Sequence, residues 1–255
     1  MSNKRMILIN GESANGKTAS LEYLDNHEGV LYLNCEAGKD ISFKHNFVEY
    51  KITNPVQVYQ AFDKVLKDGT VKNPKTGEQV PIHTIVIDSI TFLMDMFVSQ
   101  HVNTSPDTRR AWGEYGEFVR VLMQDKIANS PCTVIVTAHT LKEDNMETLS
   151  TSSRAALQGG LGKGTGLEAY FSTVVYAKRI RLKELEPFLD KGPSMLTVTE
   201  DEEFDGNKYV YVTRPFGSHS GDRIRSPRGM FKPADALMDN NAQLLINTLN
   251  NFYEN

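Results

Sequence analysis

Eight residues near the start of the chain have the types and order that hold phosphate. Gly11-Glu12-Ser13-Ala14-Asn15-Gly16-Lys17-Thr18 fits GxxxxGK[ST], and with Ala19 it forms the candidate nucleotide-binding segment. Glycines let the backbone curl, so that successive N–H groups face phosphate oxygens. A helix expected after the loop adds its positive end. Lys17 has the charge to neutralise the β- and γ-phosphates, and the Thr18 hydroxyl is a candidate ligand for Mg²⁺. ATP and Mg²⁺ are therefore the implied cofactors. The apolar strand expected over residues 5–10 is the context that makes such a match specific. A second Gly-rich stretch, residues 159–165, lacks the spacing and reads as a flexible loop.

Three further strand ends carry groups that complete this chemistry. Thr84-Ile85-Val86-Ile87-Asp88 ends in a carboxylate placed to hold Mg²⁺ through water, and Asp88 also stands where it can cap the next helix. Leu31-Tyr32-Leu33-Asn34-Cys35-Glu36 ends in a second one. In an open α/β sheet that places Glu36 on the ligand edge, as a base for the attacking water or as a solvated strand-end residue. Val134-Ile135-Val136-Thr137-Ala138-His139 ends in a polar group suited to sensing the γ-phosphate or to a structural hydrogen bond.

The elements that must position these groups alternate between strand and helix, which predicts an α/β fold with a largely parallel sheet. Strands are expected over residues 5–10, 30–35, 48–52, 82–87 and 132–136, and then over 172–177, 195–199 and 209–213. Asn54-Pro55 opens a helix. Helices are also expected over 90–102 and 109–128, and a weak helical period runs over 234–252. Residues 68–81 read as a polar loop and 141–166 as a long mobile loop, a length that is usually functional. The acidic run 200–206 reads as the turn of a hairpin. The expected organisation is one domain: a nucleotide-binding core over 1–177, a β-rich extension over 178–232, and a C-terminal helix or tail over 233–255. Trp112 and Tyr115, at helical spacing, read as core rather than as a platform for bases. Cys35 and Cys132 read as packing residues on buried strands.

Composition limits the rest. The 255 residues include 28 Lys and Arg against 32 Asp and Glu, a net charge of −4, and 40 % are hydrophobic. That is too apolar for a disordered chain. No apolar run approaches the ~20 residues that span a bilayer, and the N-terminus has no signal-peptide pattern. A membrane partner is not expected, and the expected location is cytoplasmic. Two cysteines make neither a disulfide framework nor a four-ligand zinc site.

In their order these motifs resemble the RecA/RadA-type recombinase core: the phosphate loop, the strand ending in Glu36, the Ile-Val-Ile-Asp-Ser strand, the strand ending in His139, and a loop ending in Gly-Gly. With only ten residues before Gly11, the chain looks most like the short phage RecA-like ATPases, among them the ATP-dependent single-strand annealing proteins of the fourth Sak class. The resemblance covers roughly residues 5–232. It implies a RecA-like P-loop NTPase core with a β-rich C-terminal third, assembled as a ring or filament on single-stranded DNA. It implies Glu36 as water activator, Asp88 for Mg²⁺, His139 as γ-phosphate sensor, and a DNA-contacting loop within 141–166, where Lys142, Arg154 and Lys163 are the candidate phosphate contacts. For a phage protein the host cytoplasm is the compartment, and a single-strand-binding protein is a candidate partner. In related ATPases a cation from the neighbouring subunit reaches the γ-phosphate; Arg223 and Arg225 are the candidates here. RecA has Gln where this chain has His139, and the N-terminal polymerisation segment of RecA and RadA is missing. The expected function is a DNA-stimulated ATPase that promotes annealing or strand exchange in recombination. A ring helicase or packaging motor, an ATP-gated DNA-binding module with little hydrolysis, and a small-molecule kinase are the alternatives.

Overall fold

Four apolar runs decide the architecture, because each is buried on both sides of its pleat. They become β1 (Met6–Gly11), β2 (Val30–Asn34), β6 (Thr84–Asp88) and the first half of β7 (Thr133–Asn145). Strands covered on both faces belong at the centre of a parallel sheet. A computed structural model describes residues 3–36, 39–145, 150–160, 166–189 and 195–254. The remaining strands are β3 (Val48–Lys51), β4 (Thr70–Lys72), β5 (Gln79–Pro81), β8 (Ser150–Ala155), β9 (Thr173–Arg181), β10 (Asn207–Val212) and β11 (Leu237–Asp239). The α-helices are α1 (Val56–Asp68), α2 (Ile90–Phe97), α3 (Thr108–Val121), α4 (Leu182–Leu189), α5 (Glu200–Asp205) and α6 (Ala242–Glu254).

The main sheet has the order β11-β10-β9-β1-β7-β6-β2-β3. From β9 to β3 every pairing is parallel, while β10 runs antiparallel to both β9 and β11. Side chains alternate across it. Leu8, Leu33, Ile85 and Val134 face one core with residues of α1, α2 and α3, whereas Ile7, Ile9, Tyr32, Val86 and Ile135 face the other with Leu21, Phe231 and Leu245 of α6. Parallel strands all finish at the same edge of the sheet. The register sets Gly11 beside His139 and Asn34 beside Asp88. Four strand ends from four distant parts of the chain are thereby collected in one place. Among the described residues, no helix is long and apolar enough to cross a membrane.

Several elements differ from the sequence expectation, each for a local reason. The phosphate loop leads into a 3₁₀ turn, Ala19–Tyr23, and not a helix, because Leu24 is extended and Asn26 is left-handed. Residues 68–81 are not a plain loop but contain the β4–β5 hairpin, whose three-residue strands are too short to show alternation. The described part of 141–166 is likewise not a structureless loop; residues 146–149 and 161–165, with most of the second Gly-rich stretch, lie outside the described residues. Strand β7 runs on past His139 to Asn145 and pairs antiparallel with β8. The second half of β7 is polar and largely exposed, so no apolar pattern betrays it. No strand forms over 195–199, and 200–206 is not a turn. Thr199 and Glu202 make a reciprocal capping box that starts α5, and Gly206 at φ 67° ends it. The two strands that the acidic run was expected to join are therefore not a pair; β10 pairs with β9 and β11 instead. The helices expected over 90–102 and 109–128 pass from α2 and α3 into π turns, Val98–Val102 and Leu122–Ile127. The stretch 234–252 divides into a 3₁₀ turn, β11 and α6.

Candidate active site

The phosphate loop curls through two left-handed residues, Ala14 at φ 61° and Gly16 at φ 83°. Gly16 is required there for space as well as for conformation, because a Cβ would lie 2.6 Å from Asn240 Nδ2. Asn240 Nδ2 in turn donates to the Gly16 carbonyl at 2.8 Å, which fixes the loop from the C-terminal part of the chain. Inside the curl, the Lys17 ammonium donates to the carbonyls of Gly11 and Glu12 at 2.9 and 2.8 Å. It is only 6 % exposed. Burial is the main cause that brings its pKa down to about 8, and nearby Asp88 opposes the shift.

Asp88 forms the other half of the cradle. Its carboxylate is 1 % exposed. Oδ2 accepts from Thr18 Oγ1 and from the Tyr32 hydroxyl, each at 2.7 Å, and Oδ1 accepts from Thr137 Oγ1 at 2.5 Å. Three hydroxyls from the phosphate loop, β2 and β7 therefore converge on one buried carboxylate. The Thr18 hydroxyl and Asp88 carboxylate are hard oxygen donors side by side, a pairing that fits Mg²⁺ held beside a phosphate chain. Among the described residues there is no group of three His, Cys, Asp or Glu able to hold a metal. An ion here thus depends on phosphate oxygens and water to complete its shell.

Glu36 stands across the same cavity. His139 Nε2 lies 3.6 Å from its Oε1, and Lys39 Nζ donates to its Oε2 at 2.9 Å. The imidazole and the ammonium bring the Glu36 pKa down to about 2, against the opposing push of burial. The carboxylate is accordingly ionised throughout the working range. His139 is fixed in turn by its own N–H, which donates to Thr91 Oγ1 at 3.0 Å, and by the edge of Phe92 against its ring.

The cavity measures about 340 Å³ and is lined by residues 13–19 with Tyr32, Glu36, Lys39, Asp40, Ser42, His139 and Tyr209. The structure therefore brings together Ser13, Ala14, Asn15, Gly16, Lys17, Thr18, Ala19, Asp88, Glu36 and His139. Gly11 and Glu12 do not line it; they serve through the carbonyls that hold Lys17. The Glu12 carboxylate instead pairs with Lys142 at 2.5 Å. Arg154 is not an outward-facing cation, being buried and paired with Glu143 of the same hairpin at 2.5 Å. Lys163 lies outside the described residues. Arg223 and Arg225 do not reach the cavity of their own chain. Arg223 Nη1 is 4.0 Å from Glu168 Oε2, and Arg225 Nη1 donates to the Glu168 carbonyl at 3.2 Å. Trp112 is 36 % exposed and covers Gly159, whereas Tyr115 is core, as are Cys35 and Cys132.

Sequence reasoning passed over Tyr32, Thr137, Lys39, Tyr209 and Asn240. Thr137 was visible as the lone hydroxyl in the run Val-Ile-Val-Thr-Ala, and Tyr32 as the polar tip within a buried strand. Asn240 and Tyr209 carried no local signal, since only the return of the C-terminal strands brings them to the loop.

Residues 3–223 match the protein-family model described as AAA domain. No curated protein matches the chain.

Two outcomes test this geometry. Thr137→Val leaves Asp88 with one donor fewer; a hydrogen bond to a charged group contributes about 1.5–3 kcal/mol, so urea denaturation is expected to show a loss of that size. The second concerns Lys17. Phosphate beside the ammonium restores its ordinary basicity, so the nucleotide complex holds more protons than the free protein above pH 8. Affinity is then expected to fall by up to tenfold per pH unit above about 8. Calorimetry at pH 8.5 to 9 in buffers of differing ionisation enthalpy is expected to show net proton uptake on nucleotide binding. Zero uptake would contradict the assignment.

Proposed function

Since the chain belongs to the AAA domain family, and is a P-loop ATPase, we propose that its hydrolysis is Mg²⁺-dependent and is stimulated by single-stranded DNA. The work we assign to it is strand annealing or exchange in recombination of the phage type, as in the single-strand annealing ATPases of the fourth Sak class. Copies of the chain assemble as a ring or filament in this reading, and a single-strand-binding protein is a candidate partner on the DNA.

The contact between Glu36 and His139 at the root of the β7–β8 hairpin carries the proposal. Mg²⁺, when bound, neutralises charge on the phosphate oxygens and lowers the barrier to their displacement. Lys17 holds the phosphate chain, and Thr18 with Asp88 supplies the oxygen donors. Glu36 accepts a hydrogen bond from the attacking water and turns its lone pair toward the γ-phosphorus. A carboxylate with a pKa of about 2 is a weak base. Its work is therefore orientation, which suits a loose phosphoryl-transfer transition state with little need for early deprotonation. The new O–P bond forms as the bridging bond to the β-phosphate breaks, and the water proton leaves with the released phosphate.

His139 is continuous with the hairpin. Three residues beyond it, Lys142 pairs with Glu12 of the phosphate loop. A γ-phosphate that moves Glu36 and His139 thus acts on the strand that carries the hairpin, and a shift of the loop acts on Lys142. Lys142, Lys178 and Arg179 line the cleft between the hairpin and β9 together with Glu12, Asp144 and Asp222. Lys142 is paired with Glu12 and Lys178 with Asp222, so Arg179 is the cation of this cleft that meets no acid among the described residues and is open to an anionic partner such as a DNA backbone.

Steady-state hydrolysis with and without single-stranded DNA, at low and moderate salt, tests the reading. Strong stimulation that weakens with salt is the expected result; hydrolysis indifferent to DNA would sink the DNA part. Glu36→Gln is expected to bind nucleotide as the parent does and to lose turnover by about 10²-fold, the scale for misplacing a reacting group.

A further inference from the structure

Phe204 is 93 % exposed, whereas the next most exposed large apolar residue, Tyr23, is 55 % exposed. A single apolar side chain on a surface is ordinary, but Phe204 does not stand on an ordinary surface. It projects from α5, whose six residues are Glu-Asp-Glu-Glu-Phe-Asp. Glu202 alone among these acids is tied down, by the capping box with Thr199 and by Lys208, which donates to it at 2.8 Å. Glu200, Asp201, Glu203 and Asp205 are exposed and make no ion pair among the described residues. The helix is thus a firmly anchored acidic knob with an aromatic tip.

A surface of opposite character lies at the other end of the sheet. Between β3, α1 and the β4–β5 hairpin is a groove of about 770 Å³. Its floor includes Tyr50 and Pro74 beside the buried Ile52 and Ala61, and its rim carries Lys51, Lys64, Lys72 and Lys75. Lys64 pairs with Asp68, and Lys51 lies 3.8 Å from exposed Asp40. Lys72 and Lys75 meet no acid among the described residues. The groove's own Glu49 is already engaged, accepting from Asn34 Nδ2 at 2.9 Å.

We propose that the groove takes the acidic knob of a second copy of this chain, with Phe204 on the apolar floor and the free acids against the lysine rim. The charges are complementary, and an aromatic anchor ringed by charge is a common arrangement at an interface centre. A chain cannot satisfy its own groove. Strand β10, which follows α5, is separated from β3 by six strand spacings in the sheet order, about 29 Å at 4.8 Å each. The contact is therefore head-to-tail. Each bound copy leaves one knob and one groove free, so assembly continues until a ring closes or a filament grows. This deepens the self-assembly part of the function proposed above, and it is independent of DNA.

Sedimentation velocity over a range of concentrations, with and without ATP, tests it using Phe204→Ala and the double variant Lys72→Glu/Lys75→Glu. The parent is expected to form species larger than one chain that grow with concentration. Each variant is expected to associate at least tenfold more weakly while binding ATP as the parent does. Mixed in equal amounts, the two variants are expected to recover a species of two chains and to stop there, since each retains one intact half. Charge reversal on the knob, Glu203→Lys/Asp205→Lys, paired with the reversed groove is the second arm and is expected to restore association. The proposal is overturned if the parent stays monomeric throughout, if folded variants assemble like the parent, or if the mixture gives nothing beyond one chain. It is also overturned if the lysine variant loses single-stranded DNA binding with assembly intact, which would make nucleic acid the occupant. Loss of DNA stimulation in a parent that still assembles would count against the DNA reading alone.

Discussion

A buried carboxylate without a directly bonded cation has to be surrounded by donors, and Asp88 imposes that condition on the whole site. Its partners are hydroxyls from the phosphate loop, β2 and β7. Burying a charge costs several kcal/mol unless hydrogen bonds replace its lost hydration. Three structural units must therefore keep their relative positions for the Asp88 carboxylate to keep its hydrogen-bond donors inside the fold. The parallel register makes this possible, since β7 lies between β1 and β6, and β2 flanks β6 on the other side. The convergence on Asp88 is a structural constraint, and it brings two oxygen donors together. Thr18 is already held where its oxygen lies beside the carboxylate.

Lys17 and Glu36 show how the same cavity shifts two charges for opposite reasons. Lys17 is dominated by desolvation, and the carbonyls of Gly11 and Glu12 hold its ammonium only as dipoles. A phosphate chain relieves that condition, so the loop is poised for an anion. Glu36 is dominated by its cationic and imidazole neighbours and has no proton to give. Binding of phosphate is thus coupled to proton uptake at one group, while the other stays ionised across the working range.

Much of this was legible in the sequence because the site sits at strand ends. Fully buried strands read as unbroken apolar runs, and the residue at which the run stops is the residue that meets the ligand. Glu36, Asp88 and His139 are legible in that way, whereas Gly11 is legible from the spacing of the phosphate-loop motif. Elements with little apolar content were not. The second half of β7 and β8 pair Lys142 with Ser153 and Glu143 with Ser152, so solvent rather than a core lies beside much of the ladder and alternation is lost. The short helix α5 was concealed by its acids, although the Thr199–Glu202 capping box was present in the letters. Arg223 and Arg225 are read as candidates for the site of a neighbouring subunit, and within their own chain they stand away from the nucleotide cavity. Both arginines are engaged with Glu168, 55 and 57 residues away.

Glu168 joins the parts that the sequence presents as separate. It is 3 % exposed. One oxygen accepts from the Ala155 N–H at 2.6 Å and lies 3.4 Å from Asn10 Nδ2; the backbone carbonyl accepts from Arg225. Asn10 directly precedes the phosphate loop, and Ala155 is the last residue of β8. The hairpin is therefore tied to β1 at its base through Glu168 and to the phosphate loop through Lys142 and Glu12, as well as by its own strand to His139. Three separate connections run between one nucleotide cavity and one exposed hairpin. A hairpin that was merely a surface decoration would need none of them beyond its strand. The physical consequence is that the hairpin is joined to β1, at the residue before the phosphate loop, by the buried contacts of Glu168, while the exposed Lys142–Glu12 pair adds little holding force.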